Sequence, residues 1–137
     1  MKVNDIIPTF KSITVDGQAI DIDKSVEIYN ILIFVSPNCE YCKNIIPKFN
    51  NIISNNKDVK FIVISKSGQT DLLKIYEDTL NENNIPFIIS DDLIKLLKVK
   101  AYPIYIVVDK DRKILEIDIV KDIGAFQKYG IQEKQIS

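Results

Sequence analysis

Three short apolar runs constrain this chain most: Ile31-Leu32-Ile33-Phe34-Val35, residues 59–65 and residues 104–108. Each has strand length, is partly β-branched and carries few polar residues, as expected of strands covered on both faces. The stretches between them repeat their apolar residues at helical spacing. Buried strands alternating with amphipathic helices predict an α/β fold, a mixed central sheet flanked by helices.

The remaining elements fit around that frame. Residues 10–22 alternate about Asp16-Gly17, a strong β-hairpin signal. A helix is predicted over 40–54, with Cys42, Ile45, Ile46, Phe49, Ile52 and Ile53 on one stripe. A second helix is predicted over 70–80, with Leu72, Leu73, Tyr76 and Leu80 inward. A short strand follows at 85–89. Ser90 is placed to cap a helix over 91–98, with Asp91 and Asp92 favourable in its first turn. Residues 113–120 read as a strand wet on one face, Leu115, Ile117 and Ile119 alternating with Glu116 and Asp118. A short helix near 125–129 ends at Gly130. No repeat, linker or low-complexity segment interrupts the 137 residues, so one domain spanning 1–137 is expected.

Composition narrows the function classes. Charged residues make up 27% of the chain and the net charge is −1, which argues against a basic nucleic-acid surface or a polybasic membrane patch. No run approaches the roughly 18 apolar residues of a membrane span, and Met1-Lys2-Val3-Asn4-Asp5 opens no secretory signal. With two cysteines and no histidine, a four-ligand structural zinc site lacks ligands. No metal or other cofactor is expected.

The two cysteines stand together as Cys39-Glu40-Tyr41-Cys42, just past the first apolar run and at the start of the first helix. Thiols at this spacing can close into a disulfide and open again. The helix start aims unpaired N–H groups and the positive dipole end at Cys39, favouring its thiolate, with Asn38 as the expected cap. Cys42 lies on the apolar stripe and is expected to be buried. Cys39 is therefore the candidate attacking thiol and Cys42 the candidate resolving thiol. Glu40 sets a negative charge beside Cys39 and is a candidate tuning residue. It opposes the dipole and points to a reducing rather than a strongly oxidising dithiol.

The segment from Val35 to Cys42 resembles the strand–loop–CxxC–helix signature of the thioredoxin-like superfamily. Pro47 matches the proline that kinks that family's active-site helix. Tyr102-Pro103 resembles its cis-proline, which packs against the CxxC while the preceding backbone pairs with substrate. Within the superfamily the chain is similar to the TlpA-like thiol–disulfide reductases, which include ResA. The resemblance rests on residues 4–10 with Asp16-Gly17, on the block 81–98 and on Tyr102-Pro103-Ile104-Tyr105-Ile106-Val107-Val108-Asp109.

That resemblance implies a disulfide reductase acting on protein or peptide dithiols and disulfides, with Tyr102 and Pro103 binding substrate and an upstream oxidoreductase donating electrons. It also implies an extracytoplasmic, membrane-anchored setting, with the cytoplasm as the alternative; a monomer is expected. The chain departs from the pattern at three places, one of them the turn before Lys113, which lacks the group's usual glycine. Asn38 replaces the tryptophan usual in thioredoxins, and Ile33 occupies the position of their buried aspartate, leaving the base for Cys42 open between Glu40 and water.

Two rival readings use the same residues. A peroxiredoxin would place a peroxidatic cysteine at this helix start, with Ser36 at a compatible position. Leu32, however, stands where that family has proline, and the only arginine, Arg112, falls in a predicted turn. A non-catalytic adaptor or metal carrier would hold a soft ion between Cys39 and Cys42. Ser65-Lys66-Ser67-Gly68 lacks the spacing of a phosphate loop. Tyr41, Tyr102 and Phe34 are candidates for an apolar rim around Cys39, or equally for core and loop packing.

Overall fold

The computed structural model describes residues 1–22, 28–54 and 58–133. In chain order the elements are β1 (Lys11–Ile13), β2 (Ala19–Asp21), β3 (Tyr29–Val35) and α1 (Glu40–Ile45), then a 3-10 turn (Ile46–Asn51) and β4 (Ile52–Ser54). They continue as β5 (Val59–Ser65), α2 (Thr70–Glu82), β6 (Phe87–Ile89), α3 (Asp91–Leu96), β7 (Ile104–Asp109) and β8 (Ile114–Ile119). A second 3-10 segment (Ile123–Tyr129) and β9 (Ile131–Glu133) follow.

The three apolar runs are adjacent strands of one sheet, in the order β6-β5-β3-β7-β8. β3 runs parallel to β5 and antiparallel to β7. The parallel pair needs a crossover, and residues 36–58 supply it through α1. Alternation then divides β3 between two cores. Ile31, Ile33 and Val35 join Cys42, Phe49, Tyr76 and Phe126 on one face. Leu32 and Phe34 join the hairpin residues Phe10 and Ile20, with Leu93 of α3 and Leu97 just past its end, on the other. All five residues from Ile31 to Val35 are fully buried, and each such aliphatic side chain is worth about 1.5–3 kcal/mol of burial.

The hairpin forms about Asp16-Gly17 as expected, with Gly17 at φ +90, where a glycine avoids steric cost. Val15 N–H reaches the Phe87 carbonyl at 2.9 Å and fastens the hairpin to the β6 edge. Ser90 caps α3, its Oγ accepting from Leu93 N–H at 3.1 Å. In α2, Leu73, Tyr76 and Leu80 are buried and Leu72 is half-buried.

Three expectations are corrected. The helix predicted over 40–54 stops at Ile45, becomes a 3-10 turn and ends in β4, paired with β9. Pro47 has no N–H to continue the α-helical ladder. Ile52 and Ile53 fit a helical stripe or a strand equally, and the strand has a partner.

On β8 the simple alternation fails, because a register shift places Val108 opposite Ile114 and Val107 opposite Glu116. Leu115 is the extra residue of this bulge. Leu115 therefore packs with the Cys42 face and Ile117 with the hairpin face, while Ile119 is exposed.

Finally, the helix near 125–129 is a 3-10 segment from Ile123, ended by Gly130 at φ +87. The strands expected over 85–89 and 113–120 form as β6 and β8 with shorter ends.

Glu116 does not face water as that alternation implied. Its carboxylate accepts from the hydroxyls of Tyr105 and Tyr129 (2.6 Å to Tyr129) and pairs with Lys128 at 2.6 Å. Burial alone would raise its pKa. Hydrogen bonds from Lys128, Tyr105 and Tyr129 outweigh that and hold the carboxyl below the usual range. This cluster ties the 3-10 segment to the sheet edge.

Candidate active site

β3 ends at Val35, and Ser36-Pro37-Asn38 turns the chain into α1. Cys39, not Asn38, is the N-cap. It is extended (φ −95, ψ 113), and its Sγ accepts the Cys42 N–H at 3.1 Å. Asn38 is exposed, and its own N–H goes back to Ser36 Oγ at 3.3 Å. The Ser36 carbonyl accepts Cys39 N–H at 3.2 Å and closes the turn. The effect predicted for Asn38 is thus supplied by the cysteine itself: a backbone donor of the first helical turn is aimed at the Cys39 sulfur.

The two thiols are free and unequal. Cys39 is half-buried, while Cys42 has no solvent exposure and lies among Ile33, Ile45 and Tyr76. Burial pushes the Cys42 thiol up, and its hydrogen bond with Cys39 adds to that. Ile33 puts an alkyl side chain on this face where a carboxylate would otherwise stand. Glu40 is exposed, and its carboxylate is paired with Lys43 at 2.9 Å. The charge expected to oppose the helix end is therefore offset by a neighbouring ammonium.

The Tyr102-Pro103 bond is cis. Pro103 is buried, and its carbonyl accepts Val120 N–H at 3.0 Å. Tyr102 is half-buried and touches both cores. Burial raises its phenol pKa, and the charges of Asp91 and then Cys42 add to that. Ile104 pairs with Phe34, so Pro103 lies at the end of the sheet where β3 delivers the cysteines, and Cys39 and Tyr102 pack against the core that holds Cys42.

The rim is smaller than expected. Tyr41 is 51% exposed beside the cysteines, but Phe34 is fully buried on the opposite face. Gly68, in the loop after β5, packs so closely on Pro37 that an added Cβ would meet Pro37 Cγ at 2.5 Å. Asp91 accepts Ser67 N–H at 3.0 Å and the Ser67 hydroxyl, so it braces that loop. Arg112 donates Nε–H to the Ile7 carbonyl at 3.1 Å, at the turn joining β7 to β8. Among the described residues no group of three or more His, Cys, Asp or Glu could hold a metal ion.

Sequence reasoning assigned Tyr76 to the core and missed its hydroxyl. The side chain is 2% exposed, yet its oxygen has no hydrogen-bond partner among the described residues. Burial, then the charges of Cys42, Cys39 and Glu40, push its pKa up to about 12. Its position on the inward stripe of α2 was visible; its lack of a partner depends on packing against α1.

A thioredoxin-like family profile matches residues 28–114. The chain belongs to the thioredoxin-like family. The match spans β3, the cysteines, the cis-proline and β7, so it covers the elements that build this site.

Solved structures share the thioredoxin-like fold over most of the chain. The thioredoxin domain of a thiol-disulfide oxidoreductase from Bacteroides vulgatus is 15% identical over 95% of this chain and 99% of its own, with a TM-score of 0.68. StoA from Bacillus subtilis is 19% identical over 83% and 89%, with a TM-score of 0.64. The pneumococcal exposed lipoprotein thioredoxin from Streptococcus pneumoniae is 19% identical over 82% and 89%, with a TM-score of 0.65. No curated protein matches the chain. Among the described residues no helix is long and apolar enough to cross a membrane.

Proposed function

We propose that this thioredoxin-like protein is a thiol–disulfide oxidoreductase that reduces protein disulfides through Cys39 and Cys42. The observation that carries the reading is the inequality of the thiols. A half-buried Cys39 faces a backbone donor at 3.1 Å, and a fully buried Cys42 lies next to it.

The Cys39 thiolate attacks one sulfur of a partner disulfide. A Cys39–partner S–S bond forms, the partner's own S–S bond breaks, and its second sulfur leaves as a thiolate that takes a proton from solvent. Cys42 then loses its proton to water and attacks Cys39 Sγ. The Cys39–Cys42 bond forms and the partner departs fully reduced. Each cycle moves two electrons from the dithiol to the partner. An upstream oxidoreductase restores the dithiol by the same exchange.

Several features support placing the protein with the TlpA-like reductases: the hairpin on the β6 edge, the β6–α3 block and the cis bond before β7. An extracytoplasmic setting agrees with the exposed-lipoprotein relative.

The test is Cys42→Ala. The variant is expected to stall as a mixed disulfide at Cys39 when offered a disulfide-bonded protein, seen as a reductant-sensitive adduct by mass spectrometry. No adduct with Cys42→Ala, together with no turnover by the unaltered protein, overturns the proposal. A reduction potential near about −120 mV would reverse the assigned direction.

A further inference from the structure

A cavity of about 410 Å³, lined in part by the Tyr102 that precedes the cis-proline, is not used by the exchange chemistry. Its wall carries Lys66, Lys95, Lys98 and Lys100 against a single acid, Asp91. The whole chain has a net charge of −1, so an excess of three positive charges in one depression is a local asymmetry. Asp91 is already counted in that excess; both its oxygens accept from Ser67, with Lys66 the nearby cation. Among the described residues no salt bridge engages Lys95, Lys98 or Lys100.

The lining also includes the apolar side chains of Ile94 and Val99, together with Tyr102. Tyr102 joins it to the site. The residue immediately precedes the cis-proline and has Cys42 and Asp91 as electrostatic neighbours. A peptide held against the Tyr102-Pro103 backbone, with its cysteine at Cys39, would run its flanking residues over this wall. An apolar lining with unpaired ammonium groups fits a chain with carboxylates on short apolar stems. Uncompensated lysines also repel a basic segment.

We propose that this cavity selects the partner: it receives an acidic peptide segment flanking the cysteine that Cys39 attacks. The inference rests on the oxidoreductase reading and adds a substrate class to it.

The experiment uses the reduced, full-length protein and three disulfide-bonded peptides of one sequence that carry three Glu, three Gln or three Lys beside the cysteine. Bis(2-hydroxyethyl) disulfide, small and uncharged, reports on the dithiol alone. At low salt kcat/KM is expected to fall in the order Glu, Gln, Lys, with Glu over Gln by about tenfold, a few-fold for each of three exposed charge pairs. At 1 M salt, where the Debye length is about 3 Å, the three values converge. Replacing two exposed lysines together, Lys95→Glu and Lys100→Glu, inverts the order of the Glu and Lys peptides.

Equal kcat/KM for the three peptides at low salt, with bis(2-hydroxyethyl) disulfide turned over, overturns the inference alone. So does an order unchanged by the two lysine substitutions. Failure to reduce bis(2-hydroxyethyl) disulfide overturns the dithiol reading and this one with it.

Discussion

Replacing Tyr76 by Phe removes one oxygen from the core and leaves the ring in place. That hydroxyl is buried with no partner among the described residues, so the folded protein carries its desolvation uncompensated. Protein substitutions put such a penalty at about 1–3 kcal/mol. We predict that Tyr76→Phe stabilises the reduced protein at pH 7 by about 1 kcal/mol. With an unfolding entropy of about 2.1 cal/mol/K per residue over 137 residues, that raises Tm by about 3 °C.

The pH dependence gives a second signature. The folded phenol pKa is raised to about 12, against an unfolded value near 10. A raised folded pKa means the contribution is complete below pH 10 and is lost as pH climbs from 10 towards 12. The Phe variant has no phenol to lose. Its advantage should therefore grow above pH 10 by about 1.4 kcal/mol per unit. Urea unfolding under reducing conditions at pH 7, 9, 10.5 and 11, followed by far-UV circular dichroism, reads both effects. A variant less stable than the parent by 1 kcal/mol or more at pH 7 would refute the reasoning, since the hydroxyl would then be bonded. An advantage that stays flat above pH 10 would refute the pKa assignment.

Three further outcomes are expected. Glu116→Gln removes the carboxylate that serves Tyr105, Tyr129 and Lys128, and should cost about 2 kcal/mol in urea unfolding at pH 7. Because Glu116 is held below its ordinary pKa, the parent's advantage over this variant is complete above about pH 4.5 and shrinks as pH falls through the lowered folded value. Gly68→Ala drives a Cβ into the stiff Pro37 ring. It should lose about 1–3 kcal/mol of stability and slow thiol exchange by displacing the turn before Cys39, checked by thermal melts and stopped-flow mixing with a disulfide. Iodoacetamide at pH 7.5 should modify Cys39 at least about tenfold faster than Cys42, whose buried thiol is held protonated. Equal labelling by peptide mapping would count against unequal roles.

The central sheet was readable because each of its main strands is an uninterrupted apolar run. Such runs admit few alternatives once they alternate with helical stripes. The pairing of the two thiols was readable from spacing, and the cis bond at Tyr102-Pro103 from resemblance. What escaped depended on contacts distant in sequence. Ile52 and Ile53 became strand only because residues 131–133 lie beside them. Glu116 turned inward because an unpaired Leu115 shifts the register of β8. The cap at Cys39 escaped for a different reason: Asn38 is the stronger intrinsic cap, but the turn through Ser36 engages its own N–H and leaves the sulfur facing Cys42 N–H. The basic cavity joins residues from the loop after β5, from α3 and from the segment before the cis-proline, which no local pattern unites.

The division of β3 between two cores has a consequence for how this protein can change over time. Ile33 and Phe34 are covalent neighbours, yet the first shares its surroundings with the thiols and the second with the hairpin. Selection on the surroundings of the thiols therefore acts on every other residue of the strand, and selection on hairpin attachment acts on the rest. A lineage could replace the hairpin and α3 wholesale, repacking Leu32 and Phe34, while the thiol-bearing face stayed as it was. The strand works as a partition, and its two sides can accumulate separate histories.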